Sequence, residues 1–353
     1  MIFLVNPMPI FPRLGTSNQD STMTFIASVN ARDGVAIIAD SLVTSQTPSL
    51  DFASFVDYIR SKNAGGTQDE LHFTEAEILD LFQYRTSHTQ NYEKKLFQYD
   101  QYTAITTAGN AEINGKRIEE IVLNAKNIHQ SNSIAYQNQT TQEKVADFAF
   151  FMTRQVMSHL QDKQQIGSTT FIYTHYSPRT KQSEIFKILV HDATTEDASD
   201  PDFQLVSYSK SSDNLPVICD GQNRISERIL YGGAYDIGVW KDVIASMIET
   251  VLTDFNIDSS KIPSGYVDQM TSFKSLFSKA NITDVNINKL QQLSLQQAVD
   301  LAGLLMRVEI DFQKYTTLIP TVGGVIRLAV IDEHGFRYLA GDQILPPPHI
   351  TYS

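Results

Sequence analysis

Met23-Thr24 stands directly in front of FIASVNA, the first stretch of the chain with the composition of a buried strand. A threonine freed of everything before it would hold two reactive groups on one residue. Its hydroxyl can attack a carbonyl, and its α-amine, with a pKa near ~8, can take the hydroxyl's proton. That is acyl-transfer chemistry in which the nucleophile arrives with its own base. Residues 1–23 then read as a removable propeptide, or as an upstream extension of a chain whose working start is Met23, the plainer alternative being a disordered tail. MIFLVNPMPIFP is apolar, but three prolines interrupt it, no basic segment precedes it and no small-residue cleavage site follows, so it does not read as a signal peptide. Gly15-Thr16 offers a second possible maturation point, but SNQDSTM after it is no strand.

A nucleophile needs elements to hold it. TFIASVNA, a turn at Arg32-Asp33-Gly34 and VAIIAD predict a hairpin with an Asp-Gly turn signal, which returns Asp40 to within a few residues of Thr24. Which face Asp40 takes is open at this stage. Residues 45–93 break the strand pattern with polar sequence and one helix from Thr74, where TEAE supplies a capping box ahead of Ile78, Leu79, Leu81 and Phe82. KKLFQYDQYTAITTAG returns to two strands, with a helix opening just after Gly109. The segment QEKVADFAFFMTRQVMSHLQD is apolar around much of its circumference, which predicts a helix packed on two sides. STTFIYTHY, SEIFKILVHDA and FQLVSYS read as strands, ISERILYGGAYDIGVWKDVIASMIETVL and SLQQAVDLAGLLMRVEIDFQKY as helices, and GGVIRLAVIDEHGFRYLA as a closing hairpin. A polar tract at 255–295 reads as an insertion. Strands and helices come in blocks rather than in strict alternation, which predicts an α+β fold with largely antiparallel sheets.

Composition narrows the function. The 353 residues carry a net charge of −12, and no Lys/Arg cluster is present to neutralise phosphates, so a nucleic-acid surface is not expected. No stretch approaches the ~18 apolar residues needed to span a bilayer. The single cysteine, Cys219, cannot form an internal disulfide, which fits a reducing cytoplasm. There is no GxSxG, HExxH or P-loop, and the eight histidines lack metal-ligand spacing, so neither metal nor cofactor is expected.

Four segments in this order, TFIASVNARDGVAIIADSLVT, KKLFQYDQYTAITTAG with its helix, LYGGAYDIGV and TVGGVIRLAVI, give the chain a resemblance to the proteasome β-subunit family of N-terminal nucleophile hydrolases. It is nearest to the bacterial branches, the heat-shock-locus peptidase and the Anbu proteins, which also place the nucleophilic threonine after an initiator Met. The resemblance implies a four-layer αββα sandwich over residues 24–353, with insertions at about 45–93 and 255–295. It puts Thr24 on the nucleophile, Lys95 on the catalytic lysine, Asp40 on the carboxylate that supports that lysine and Gly109 on the oxyanion-hole glycine. Thr44 falls on a position that aligns an extended substrate, and Thr107 on a pocket-wall position. It further implies a threonine peptidase cutting peptides or unfolded protein in a homo-oligomer, with an AAA+ unfoldase as a possible partner. A catalytically silent structural subunit, or an amidase acting on a small molecule, are the alternatives.

The chemistry suits these residue types. A lysine ammonium beside the nucleophile favours an alkoxide-like oxygen and keeps the terminal amine neutral, and a carboxylate offsets the burial of that lysine. A glycine N–H lets a developing oxyanion come close. Singly, each has a plainer reading: a strand-end cap for Asp40, an edge charge for Lys95, backbone geometry for Gly109. Three positions depart from the family pattern. Tyr231 stands where a serine is usual, with its hydroxyl as a possible support for the amine, and Ile319 and Val322 stand where a supporting Asp and Ser are usual. The helix expected at Thr74–Tyr84 is too apolar for a free lid, which favours a subunit contact.

Overall fold

Alternate residues of the first strand belong to different cores, and this sets the architecture. In β1 (Phe25–Ala31), Phe25, Ala27 and Val29 join one apolar cluster while Ile26 joins another. A strand buried on both faces must have a layer on each side. The same alternation recurs in β2 (Gly34–Ala39), where Ala36 and Ile38 face one way and Val35, Ile37 and Ala39 the other. The computed structural model describes residues 24–63, 74, 77, 81–90, 93–131, 133–163, 165–211, 216–231, 246–253, 255, 290, 292–316 and 320–340.

Two antiparallel five-stranded sheets result. After β3 (Val43–Leu50), β4 (Phe82–Gln90), β5 (Leu96–Asp100) and β6 (Thr103–Gly109) come the short β7 (Glu112–Ile113), β8 (Lys116–Arg117) and β9 (Gln165–Ile166), then β10 (Thr169–Ser177), β11 (Gln182–Val190) and the short β12 (Ala193–Thr194). The chain continues through β13 (Val206–Lys210), β14 (Val217–Gly221), β15 (Arg327–Asp332) and β16 (Gly335–Tyr338). One sheet has the order β14-β1-β2-β15-β16 and the other β13-β11-β10-β6-β5. Between them lies a shared core that includes Ile26, Ile37, Leu96, Ile172 and Ile331. One hydroxyl pair, Ser28 Oγ and Thr174 Oγ1 at 2.9 Å, bridges the two sheets inside it.

Helices cover the outward faces. Of α1 (Phe52–Asn63), α2 (Ile118–Ser131), α3 (Ser133–Asn138), α4 (Thr141–Asp162), α5 (Arg224–Tyr231) and α6 (Leu295–Thr316), the last packs Ala298, Val299, Ala302 and Leu305 onto the β1 sheet. α2 and α4 pack Ile121, Val122, Phe148 and Met152 onto Phe97, Phe171 and Tyr173 of the other. Thr140 caps α4, its hydroxyl accepting from Glu143 N while its own N–H donates to the Glu143 carboxylate, which fixes where that helix starts. The chain is thus mixed helix and antiparallel sheet, as the block order of the sequence predicts.

Several local expectations need correction. Residues 45–93 do not break the strand pattern: β3 and β4 form a two-stranded ribbon, and α1 lies between them. The capping box at Thr74 is present, with Thr74 N donating to Glu77 at 3.0 Å, but β4 already begins at Phe82, so a helix reaching Tyr84 is excluded. Ile78 and Leu79 lie outside the described residues. The helix expected directly after Gly109 is delayed to Ile118 by a β7–β8 hairpin whose turn, Asn114-Gly115, has positive φ at both residues. α4 packs on one face only in this chain and leaves Phe150 and Met157 exposed. Residues 1–23, 232–245 and 256–289 lie outside the described residues, as does Ile319.

Candidate active site

Thr24 is buried at the head of β1, and its position is fixed from the backbone outward. β14 runs alongside, pairing Gly221 with Phe25, and Gln222 N donates to Thr24 O at 2.6 Å. Gly221 has φ +86°, and a Cβ there would lie 1.8 Å from that same carbonyl oxygen. Only glycine fits. The Gln222 side chain accepts from Thr321 Oγ1 at 2.6 Å, and Gln313 of α6 accepts from Thr321 N at 2.6 Å and Val322 N at 3.0 Å. A buried polar chain therefore ties Thr24 to the last helix.

On the side-chain side, Lys95 enters from the residue before β5. Its Nζ donates to Thr24 Oγ1 at 2.7 Å, to Asp40 Oδ1 at 3.0 Å and to Leu42 O. Each of the ammonium's protons has an acceptor. Asp40, at the end of β2, also accepts from Phe25 N at 3.3 Å, Leu42 N at 3.3 Å and Gly323 N at 3.1 Å. Burial pushes the Lys95 ammonium below its ordinary range, opposed by Asp40. Burial likewise pushes the Asp40 carboxyl up, opposed by Lys95 and by the backbone donors. Ser41 secures the same corner: its Oγ accepts from Val325 N at 2.7 Å, and its N–H donates to Gly323 O at 3.1 Å.

A cavity of about 50 Å³ opens beside Thr24, bounded by Leu42, Lys95, Thr107, Gly109 and Asn110 among others. Thr107 Oγ1 is buried there without a hydrogen-bond partner. Gly109 has φ +119°, and a Cβ on it would lie 2.5 Å from Ser168 O. Its glycine is thus explained by the neighbouring backbone, the plainer of the two readings, even though it also faces the cavity. The structure therefore brings Thr24, Asp40, Lys95, Thr107 and Gly109 together.

The backbone of Thr44 pairs with Thr89 in the β3–β4 ribbon, and Tyr231 is the last residue of α5; the side chains of both lie outside the described residues. Val322, at a family support position, is buried and contributes only its backbone N–H to the site's hydrogen bonds. Sequence reasoning missed Gln222, Gln313 and Thr321, which no local motif marks, and Glu93, which lines the cavity and whose N–H donates to Ser41 O at 3.2 Å.

Among the described residues, no group of His, Cys, Asp and Glu could hold a metal ion, and no helix is long and apolar enough to cross a membrane. No protein-family model matches the chain, and no curated protein matches it.

Proposed function

We propose that this chain is a threonine-type N-terminal nucleophile hydrolase of the proteasome β-subunit kind, with a four-layer αββα arrangement. In this reading it cuts peptide bonds from a mature chain beginning at Thr24, within a cytoplasmic homo-oligomer. The observation that carries the reading is the Lys95 ammonium, which donates at once to Thr24 Oγ1 and Asp40 Oδ1 across sequence separations of 71 and 55 residues. A buried lysine needs a carboxylate and an acceptor for each remaining proton; what supports the reading is that one of those acceptors is the hydroxyl of the residue at the head of β1, at 2.7 Å. The three core layers between and outside the two sheets support the fold half of the reading.

The chemistry follows from the atoms in place. The freed Thr24 amine takes the proton from Oγ1 as that oxygen bonds to the substrate carbonyl carbon. Lys95 stabilises charge on Oγ1, and the Gly109 N–H serves the carbonyl oxygen. When the tetrahedral adduct collapses, the C–N bond breaks and the leaving amine takes the proton back. Water then hydrolyses the Thr24 ester by the same steps. Thr107 forms part of the cavity wall.

The narrow cavity gives some weight to a second reading, an amidase for small acyl groups, which shares the nucleophile and differs only in substrate. The test is intact-mass measurement of the native N-terminus together with labelling by a peptide epoxyketone, which reacts with hydroxyl and amine together. The expected outcome is a chain starting at Thr24 that is labelled, unlabelled as Thr24→Ala and partly labelled as Thr24→Ser. Labelling of a chain that retains residues 1–23, or undiminished labelling of Thr24→Ala, would overturn the assignment. Turnover of small amides without turnover of peptides would select the second reading.

A further inference from the structure

At the far end of β5, about 13 Å along the strand from Lys95's end by ordinary strand rise, a separate cavity of about 570 Å³ is lined by Asp100, Tyr102, Gln130, Tyr136, Gln137, Lys144 and His175 among others. Lys144 is only 8% exposed, yet its ammonium makes no ion pair and no hydrogen bond to a described residue; its Nζ lies 4.3 Å from the centre of the Tyr136 ring. It also sits in the first turn of α4, where the helix dipole disfavours a cation.

The nearby carboxylates do not answer for it. Asp100 accepts from Tyr136 Oη at 3.0 Å and Tyr102 N at 2.7 Å. Glu184 accepts from Thr141 Oγ1 and from Lys210 Nζ, the latter at 2.7 Å. Burial shifts His175 toward its neutral form, and its Nδ1 is engaged with Thr103 Oγ1 at 2.9 Å. A buried cation that breaks a local rule, has no anionic or hydrogen-bonding partner among the described residues and faces an open cavity is placed for a ligand.

We propose that this cavity binds a small molecule bearing an oxyanion, a carboxylate or a phosphate, whose charge is met by Lys144, with the Gln130 and Gln137 amides at hand as further donors. The site is independent of the reading given to Thr24.

Isothermal titration of the full-length chain with inorganic phosphate, with citrate and with glycerol, at constant ionic strength, tests it. One or both anions should bind with a Kd below about 10 mM and glycerol should not; phosphate alone or citrate alone would fix the headgroup. Lys144→Met should weaken binding at least about tenfold, the value of one charge-assisted contact. Gln137 is exposed, so Gln137→Glu alters the mouth of the cavity without touching the core and should also weaken binding. No anion binding, or anion binding unchanged in Gln137→Glu and in folded Lys144→Met, would overturn the proposal.

Discussion

Lys95 and Lys144 are equally hidden, 6% and 8% exposed, and are used in opposite ways. The first is closed into a network that accounts for all its protons, with acceptors from the head of β1 and from the Asp40–Leu42 corner. The second rests on an aromatic face with its charge directed at open space. Burial alone therefore says little about what a cation does. The informative quantity is the number of acceptors that meet it, because a saturated ammonium is part of the structure's own chemistry while an unsaturated one is left for something else.

The comparison breaks most visibly if Lys95 is removed. Lys95→Met leaves Asp40 buried without its counter-charge, and the expected loss of stability is about 3–5 kcal/mol by denaturant unfolding. Adding Asp40→Asn to that variant should recover part of the loss, since the remaining backbone donors can serve a neutral amide oxygen. A double variant as unstable as the sum of the singles would mean that the pair is not coupled, contrary to the 3.0 Å contact.

Gly221→Ala attacks the same site from the backbone. It must move either β14 or the Thr24 carbonyl, because the new methyl would lie 1.8 Å from that oxygen at a φ of +86°. A destabilisation above about 1 kcal/mol is expected from the left-handed φ alone. Loss of epoxyketone labelling beyond the unfolded fraction would show that the β14 contact positions the nucleophile. Labelling in full proportion to the folded protein would confine the glycine to a stability role.

Lys144→Met is the contrasting variant. Removing a cation whose one close contact is a tyrosine ring should cost less than about 2 kcal/mol and leave Thr24 labelling unchanged. A loss as large as that of Lys95→Met would show that the ammonium is structurally partnered after all and would erase the distinction between the two lysines.

How much of this was legible in the sequence depended on whether the signal was local. The β1–β2 hairpin was readable because Asp33-Gly34 marks its turn and the flanking runs are apolar; α6 was readable because its apolar residues recur at helical spacing. Asp40 was placed near Thr24 by that hairpin, but its face was decided by Lys95 and Gly323, which lie far along the chain. The β7–β8 turn carried a plain Asn-Gly signal that the helical pattern after it obscured. β14 was missed because VICDG is too short to announce itself, and with it the Gly221 and Gln222 contacts that hold Thr24. The Gln313, Thr321 and Gln222 chain joins segments about a hundred residues apart and has no sequence signature. Lys144 reads as one more charge on an amphipathic helix until the cavity beside it is seen.

Glu227 lies between the two lysines in character, and it gives the smallest expected effect. It stands in the first turn of α5, where Asn223 Nδ2 donates to it at 2.7 Å. Burial raises its pKa to about 7 from an ordinary 4.5; Lys187 opposes that rise, while Asp220 and Glu309 add to it. The folded state therefore holds a proton that the unfolded chain has already released between about pH 4.5 and 7. Stability from this group is complete below pH 4.5 and is lost as the pH rises through about 7. Glu227→Gln keeps an acceptor for Asn223 and cannot ionise, so its Tm should match that of the native protein near pH 4.5 and exceed it, by a few degrees at most for a half-buried group, above pH 7. Melting the two proteins side by side from pH 4.5 to 8.5 checks this. A constant Tm difference across that range would mean that water or Lys187 already satisfies the carboxylate, which would place Glu227 with Lys95 among the answered charges rather than with Lys144.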